Sequence, residues 1–275
     1  MEDQIIKIET FEGDITLRQF TNPASRKNIL FLAGLSGDRH YWDRLFEQSS
    51  LRQFNLIAID LPGQGGSNFP SDYSFSMESQ AKAVLEALKH LGIENVTGVF
   101  HSMAGVIGLI MYDLKPSMVG RYIGLESNLL YQESQWSAEI ARSRENEYRE
   151  IWDQTLDSAD QFYTQALAST NPREIRETLK ILVQSARKAP YYAIWRSAVS
   201  LCEYSRKYLP DKLEILRGTA SHYLIGQKNY RDFDIYSPLF RKYGIEVEFV
   251  KKAGHVMMLE NPEETAVAIS RIAMR

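Results

Sequence analysis

Phe100-His101-Ser102-Met103-Ala104-Gly105 lies between the apolar run Val96-Thr97-Gly98-Val99 and the helix-like stretch Val106-Ile107-Gly108-Leu109-Ile110-Met111. A serine pinched between a strand and a helix is a candidate nucleophile. The sharp turn, a nucleophile elbow, holds the hydroxyl clear of the sheet, and the helix N-terminus favours developing negative charge. Small residues two places either side of the serine let strand and helix approach that closely. Ala104 supplies one of them, whereas Phe100 stands where the other belongs. Taken alone, the motif has a plainer reading: a serine that opens a helix by capping an orphan amide.

The rest of the chain adds weight to the nucleophile. Gly254-His255 follows the strand-like Val247-Glu248-Phe249-Val250 and precedes Asn261-Pro262-Glu263-Glu264, which reads as a helix start with Asn as N-cap and Pro at the first position. A histidine on that loop can meet a serine at the end of another strand. Upstream, Ile29-Leu30-Phe31-Leu32 runs into Ala33-Gly34-Leu35-Ser36-Gly37, and Leu56-Ile57-Ala58-Ile59-Asp60 runs into Leu61-Pro62-Gly63-Gln64-Gly65-Gly66-Ser67. Both are buried-strand signals ending in glycine-rich turns.

Ile5-Ile6-Lys7-Ile8 and Ile15-Thr16-Leu17 predict an opening hairpin around Glu12-Gly13-Asp14, and strands then alternate with helices as far as Tyr122-Ile123-Gly124-Leu125. That order is α/β and implies a mostly parallel sheet. From about Leu129 to Leu209 the pattern is helical, with Ile140, Tyr148, Ile151, Trp152 and Leu156 at helical spacing, a helix start at Asn171-Pro172 and a break at Ala189-Pro190. Strand signals resume at Tyr223-Leu224-Ile225. The expected organisation is a core of residues 1–128 and 211–275, with residues 129–210 inserted as helices.

With these marks in this order, the chain resembles the α/β-hydrolases, in particular the capped esterase, lactonase and C–C hydrolase branch. The marks are Ala33-Gly34-Leu35, the Asp60-to-Ser67 loop, His101-Ser102-Met103-Ala104-Gly105 and Gly254-His255. The resemblance implies that the insertion is a lid, that Ser102 and His255 are nucleophile and base, and that the backbone amides of Met103 and Leu35 hold the oxyanion. In most of the family the acid that orients the histidine follows the strand placed here at Tyr223-Leu224-Ile225. The matching residue is Asn229, which cannot carry the charge. A minority of the family, including haloalkane dehalogenases and the zearalenone lactonase, takes the acid from the end of the preceding strand, where this chain has Glu126. An acidic residue ending an apolar run at the catalytic rim favours Glu126, with Asp232 second and Asp234 close by.

Phe100 is expected to turn its ring into the core against Ala104 or Gly105. Trp136, Trp152, Phe162, Tyr163, Tyr191, Tyr192 and Trp195 are read as helix-packing residues that together can roof an apolar pocket. His101 reads as support for the site, His40 as an edge of the pocket, and His90 and His222 as surface or packing residues.

Composition sets the outer bounds. A chain of 275 residues, 44% hydrophobic and 24% charged, can bury a substantial core. A net charge of -3 with a pI near 6.0 gives no electrostatic footprint for nucleic acid or an anionic membrane. The acidic start Met1-Glu2-Asp3-Gln4 does not read as a secretory signal, which points to the cytoplasm. The single Cys202 has no disulfide partner within the chain, no histidine pair has ligand spacing for a metal, and no cofactor motif is present. The expectation is a serine hydrolase acting on a small hydrophobic ester, lactone or thioester, or on a β-diketone cleaved at carbon. The alternative is a receptor-like member that binds a small molecule under the lid. Oligomeric state is not legible in the sequence.

Overall fold

The computed structural model describes residues 2–130, 135–168, 173–218 and 220–275. The helix start read at Asn171-Pro172 lies outside these. Eight strands form one sheet in the order β1-β2-β4-β3-β5-β6-β7-β8. They are β1 (Glu2–Glu9), β2 (Asp14–Thr21), β3 (Asn28–Leu32), β4 (Asn55–Ile59), β5 (Val96–His101), β6 (Val119–Leu125), β7 (Ala220–Gly226) and β8 (Glu246–Val250). The hairpin β1–β2 is antiparallel and β2 pairs antiparallel with β4, while all pairs from β4 to β8 are parallel.

The apolar runs are continuous because the parallel strands are covered on both faces. In β3, Leu30 and Leu32 join one core while Ile29 and Phe31 join the other, as the alternation of side chains along a strand requires. Helices α1 (Met77–His90) and α2 (Ala104–Leu114) pack on the first face, and the C-terminal helix α8 (Pro262–Met274) packs on the second. The Ser76 hydroxyl caps α1 by accepting from the Ser79 amide at 3.1 Å. Asn261 caps α8 by accepting from the Glu264 amide at 3.3 Å, with Pro262 in the first turn.

Between β6 and β7 the chain forms α3 (Gln135–Ile140), α4 (Glu145–Ala168), α5 (Arg173–Ala186) and α6 (Tyr191–Lys207), followed by the short turns Leu209–Lys212 and Ile215–Gly218. Helix α7 (Phe233–Tyr243) lies between β7 and β8. The inserted helices are tied to the sheet domain by polar contacts. Asp38, fully buried in the loop after β3, accepts from the Ser185 hydroxyl and the Lys188 ammonium, each at 2.7 Å. Gln80 of α1 donates to the Ser197 hydroxyl of α6 at 3.0 Å.

Phe100 is fully buried, and its ring lies on the α2 side of β5. The space for it is not made by Ala104 or Gly105. A Cβ at Gly98 would stand 2.1 Å from the ring and one at Gly108 would stand 2.5 Å from it, so these two glycines make the room. Gly105 is small for another reason, because a Cβ there would meet the Ser127 Cβ at 2.4 Å. The bulk at position 100 is thus absorbed one helical turn further along α2, and strand and helix still meet closely at Ser102.

This packing yields a coupled prediction. Phe100→Ala should cost about 3–5 kcal/mol in urea unfolding through the cavity it leaves. Gly108→Ala should be destabilising by about 1–3 kcal/mol through overpacking, although alanine in a helix is otherwise favoured by about 1 kcal/mol. In the Phe100→Ala background the same Gly108→Ala change should become stabilising. Simple additivity of the two would mean that the ring does not occupy the Gly108 notch.

Candidate active site

Ser102 follows β5 immediately and precedes α2, with φ of 52°. For a residue other than glycine that conformation is strained, and such strain persists only where surrounding contacts impose it. Here the contacts are backbone bonds from the Ser102 amide to the Leu125 carbonyl at 3.1 Å and from the Asn128 amide to the Ser102 carbonyl at 3.0 Å. Three further residues with positive φ, Ser36, Glu126 and Lys252, sit on the loops after β3, β6 and β8. The left-handed turns aim these loops at the carboxyl end of the sheet, where Ser102 lies.

Glu126 comes directly after β6, with its side chain only 13% exposed. Its Oε2 lies 2.9 Å from His255 Nδ1. The Gly226 amide donates to Oε1 at 2.8 Å, and Asn229 Nδ2 donates to both oxygens, at 3.0 and 2.8 Å. Asn229 therefore occupies the end of β7 as a donor that holds the Glu126 carboxylate, a role the sequence reading did not foresee. Its signal was present, since an amide in place of an acid beside another acid is a natural donor. Asp234 is exposed on α7, and the side chain of Asp232 lies outside the described residues.

His255 is half-exposed at its side chain, and its carbonyl accepts from His101 Nε2 at 3.0 Å. His101 Nδ1 in turn accepts from the Gly34 amide at 3.3 Å. One buried imidazole thus links the loop before His255 to the loop after β3, as a neutral ring with one donor and one acceptor nitrogen. Burial, with the nearby His255 adding to it, holds the His101 pKa well below the usual histidine range.

The Ser102 hydroxyl donates to Asn128 Oδ1 at 3.4 Å, and no hydrogen bond joins it to His255. Gly34 is packed against the serine, since a Cβ there would stand 2.7 Å from the Ser102 Cβ. The next amide, Leu35, and the Met103 amide at the start of α2 make no hydrogen bond among the described residues. Met103 lies in the strand-to-helix turn itself, and Leu35 lies on the loop after β3, next to the Gly34 that packs against Ser102.

The aromatic residues divide. Trp152 is buried and donates to the Ala189 carbonyl at 3.1 Å, while Tyr191, Tyr192 and Trp195 are partly buried against the core. Trp136 and Phe162 are exposed, so neither is the packing residue expected of it, because each falls on the outer face of its helix. A cavity of about 420 Å³ is bounded by Ile175, Thr178 and Leu179 of α5 and by Val256, with Lys228, Lys252 and Glu260 at its border, and none of Ser102, Glu126 and His255 lines it. His40 pairs with Asp43 at 2.8 Å, and Cys202 is buried, which pushes its thiol pKa up. Among the described residues no helix is long and apolar enough to cross a membrane, and no cluster of three or more potential ligand side chains is placed to hold a metal ion.

Residues 27–185 match the family model described as alpha/beta hydrolase fold. Over 248 residues, 89% of this chain and 92% of the relative, the sequence is 24% identical to 2-succinyl-6-hydroxy-2,4-cyclohexadiene-1-carboxylate synthase of Escherichia coli. It is 28% identical over 100 residues to the probable lysophospholipase BODYGUARD 4 of Arabidopsis thaliana, a stretch covering 36% of this chain and 24% of that protein. Among solved structures, the N-acyl homoserine lactonase AidH superposes with a TM-score of 0.71 at 19% identity, covering 98% of this chain and 96% of that one.

The state of His101 predicts a pH dependence. Its folded pKa lies below the unfolded value near 6.5, so between the two the unfolded chain binds the extra proton. Stability attributable to this ring is complete above about pH 6.5 and falls by about 1.4 kcal/mol per pH unit as pH drops below it. His101→Gln should remove that slope from urea unfolding between pH 7.5 and 5. An identical slope in both proteins would show that the His101 pKa does not differ between the folded and unfolded chains.

Proposed function

The chain belongs to the α/β-hydrolase fold family, and on that footing we propose that it is a serine hydrolase cleaving a small hydrophobic carboxylic ester, lactone or thioester through an acyl-enzyme. The observation that carries the reading is the contact of His255 Nδ1 with Glu126 Oε2 at 2.9 Å at the rim that holds Ser102 on its strained turn. Glu126 fixes the tautomer in which Nδ1 bears the proton, leaving Nε2 free as a base, and it stabilises the imidazolium when that forms.

In the reaction Ser102 Oγ forms a bond to the carbonyl carbon while its proton passes to His255 Nε2. The carbonyl electron pair moves onto oxygen, which accepts from the Leu35 and Met103 amides, each such donor contributing about 3 kcal/mol at the transition state. Collapse breaks the bond to the alkoxide or thiolate, which takes the proton from His255. Water then attacks the acyl-serine, again losing its proton to His255, and release of the acid restores Ser102.

For this to begin, the Ser102 hydroxyl must exchange its bond to Asn128 for one to His255. Hydrogen bonds at such sites are often long before substrate binds. Residues 129–210 serve as the lid in this reading.

A fluorophosphonate probe should add covalently to Ser102, seen by intact mass and peptide mapping, and Ser102→Ala should take up none. Ser102→Ala and His255→Ala should each abolish nearly all ester turnover while leaving the fold intact, since nucleophile and base act as one unit. No adduct on the folded protein would favour a receptor-like protein that binds a small molecule without cleaving it. Retention of more than about a tenth of the rate in either variant would remove that residue from the mechanism.

A further inference from the structure

The loop after β6 brings a second polar side chain to the serine besides Glu126. Asn128 is 5% exposed, and its Oδ1 lies 3.4 Å from Ser102 Oγ. The backbone around it is fixed at several points. The Asn128 amide donates to the Ser102 carbonyl at 3.0 Å, the Ser127 hydroxyl donates to the Phe100 carbonyl at 2.6 Å, and the Tyr223 hydroxyl donates to the Ser127 carbonyl at 2.8 Å. The carboxamide is thus held beside the nucleophile as firmly as the elbow itself.

Half of that carboxamide is unused. Asn128 Nδ2 makes no hydrogen bond among the described residues, and it is not one of the fully enclosed polar atoms without a partner. That nitrogen therefore meets solvent at the site, and an acceptor that arrives with a ligand can replace the water there. The nitrogen and oxygen of a carboxamide are about 2.3 Å apart, so a donor so close to the attacking oxygen can reach only atoms adjoining the reacting carbonyl.

Sheet order excludes the oxyanion from those atoms. The Leu35 amide comes from the β3 side of β5, whereas Asn128 comes from the β6 side. The oxyanion is therefore drawn away from Asn128. His255 and Asn128 both come from the β6 side of β5, and since the leaving oxygen or sulfur already has His255 as its partner, the acyl group is the substituent left for Asn128.

Building on the serine-hydrolase reading, we infer that Asn128 is a specificity-determining residue whose carboxamide NH2 donates to an acceptor on the acyl group next to the scissile carbonyl, so that the preferred substrates are esters or lactones oxygenated close to that carbonyl. One neutral hydrogen bond supplies discrimination on the order of tenfold.

The test uses two esters of nearly equal shape, p-nitrophenyl methoxyacetate and p-nitrophenyl butyrate, in which an ether oxygen replaces one methylene of the acyl chain. The ratio of their kcat/KM values is compared between the wild-type protein and Asn128→Leu, so that the intrinsic reactivity of the esters cancels. The ratio should fall about tenfold in favour of butyrate in Asn128→Leu. Asn128→Ser, which removes the amide without adding an apolar surface, should shift it the same way if the leucine variant unfolds. Hydrolysis of both esters with an unchanged ratio overturns the inference and leaves the serine-hydrolase reading standing. If the wild-type protein cleaves neither ester, fluorophosphonate labelling decides the serine-hydrolase reading, and the affinities of Ser102→Gly for the two esters, measured by NMR titration with and without Asn128→Leu, decide the inference. A preference for the methoxyacetate that disappears with Asn128 supports it, and equal or undetectable binding overturns it.

Discussion

The carboxylate of Glu126 is the point on which the ends of three strands converge. It leaves β6, accepts from the Gly226 amide at the end of β7 and from Asn229 just beyond it, and meets His255 on the loop after β8. A carboxylate this enclosed is tolerable because every direction of approach is filled by a donor, which offsets the loss of water. With the carboxylate held by those donors, Oε2 stands 2.9 Å from His255 Nδ1. His101 holds the backbone of the same residue, donating to the His255 carbonyl while accepting from the Gly34 amide. The loops after β3, β5, β6 and β8 are in this way locked to one another through two imidazoles and one carboxylate.

Such a network explains why strain gathers here. Ser102 and Glu126 both hold positive φ, and so do Ser36 and Lys252 on the neighbouring loops. Each costs on the order of 1–3 kcal/mol. The buried apolar strands and helices offset that cost, and they need no special conformation themselves. Phe100 illustrates the division. Its bulk at the foot of the elbow is matched by absent side chains at Gly98 and Gly108, so the turn keeps its shape although the local pattern departs from the usual small residue.

Much of this was legible in the amino-acid sequence. The apolar runs of β3 to β7, the Asn261 cap with Pro262, and the alternation of strands and helices are local signals, and the structure places them where the patterns did. The nearness of Glu126 to His255 was also within reach, because a charged residue ending a buried run has few places to go. What escaped were pairings across long sequence separations. Nothing local links Gly108 to Phe100 through the sheet–helix interface, or Asn229 to a carboxylate 103 positions earlier. The exposure of Trp136 and Phe162 escaped for a related reason: helical periodicity shows that a face is apolar, but it does not show whether another element covers that face.

In the proposed mechanism Glu126 orients His255, and the rate of Glu126→Gln on an ester that the wild-type protein cleaves tests this most directly. Glutamine keeps the shape and can still accept from Nδ1–H, but it cannot stabilise an imidazolium and its amide can instead donate to Nδ1, so kcat should fall by about ten-thousand-fold with folding preserved. Asp232→Asn should leave kcat within about twofold of wild type. A Glu126→Gln enzyme that keeps most of its rate, or an Asp232→Asn enzyme that loses it, would contradict the assignment of the acid to the end of β6.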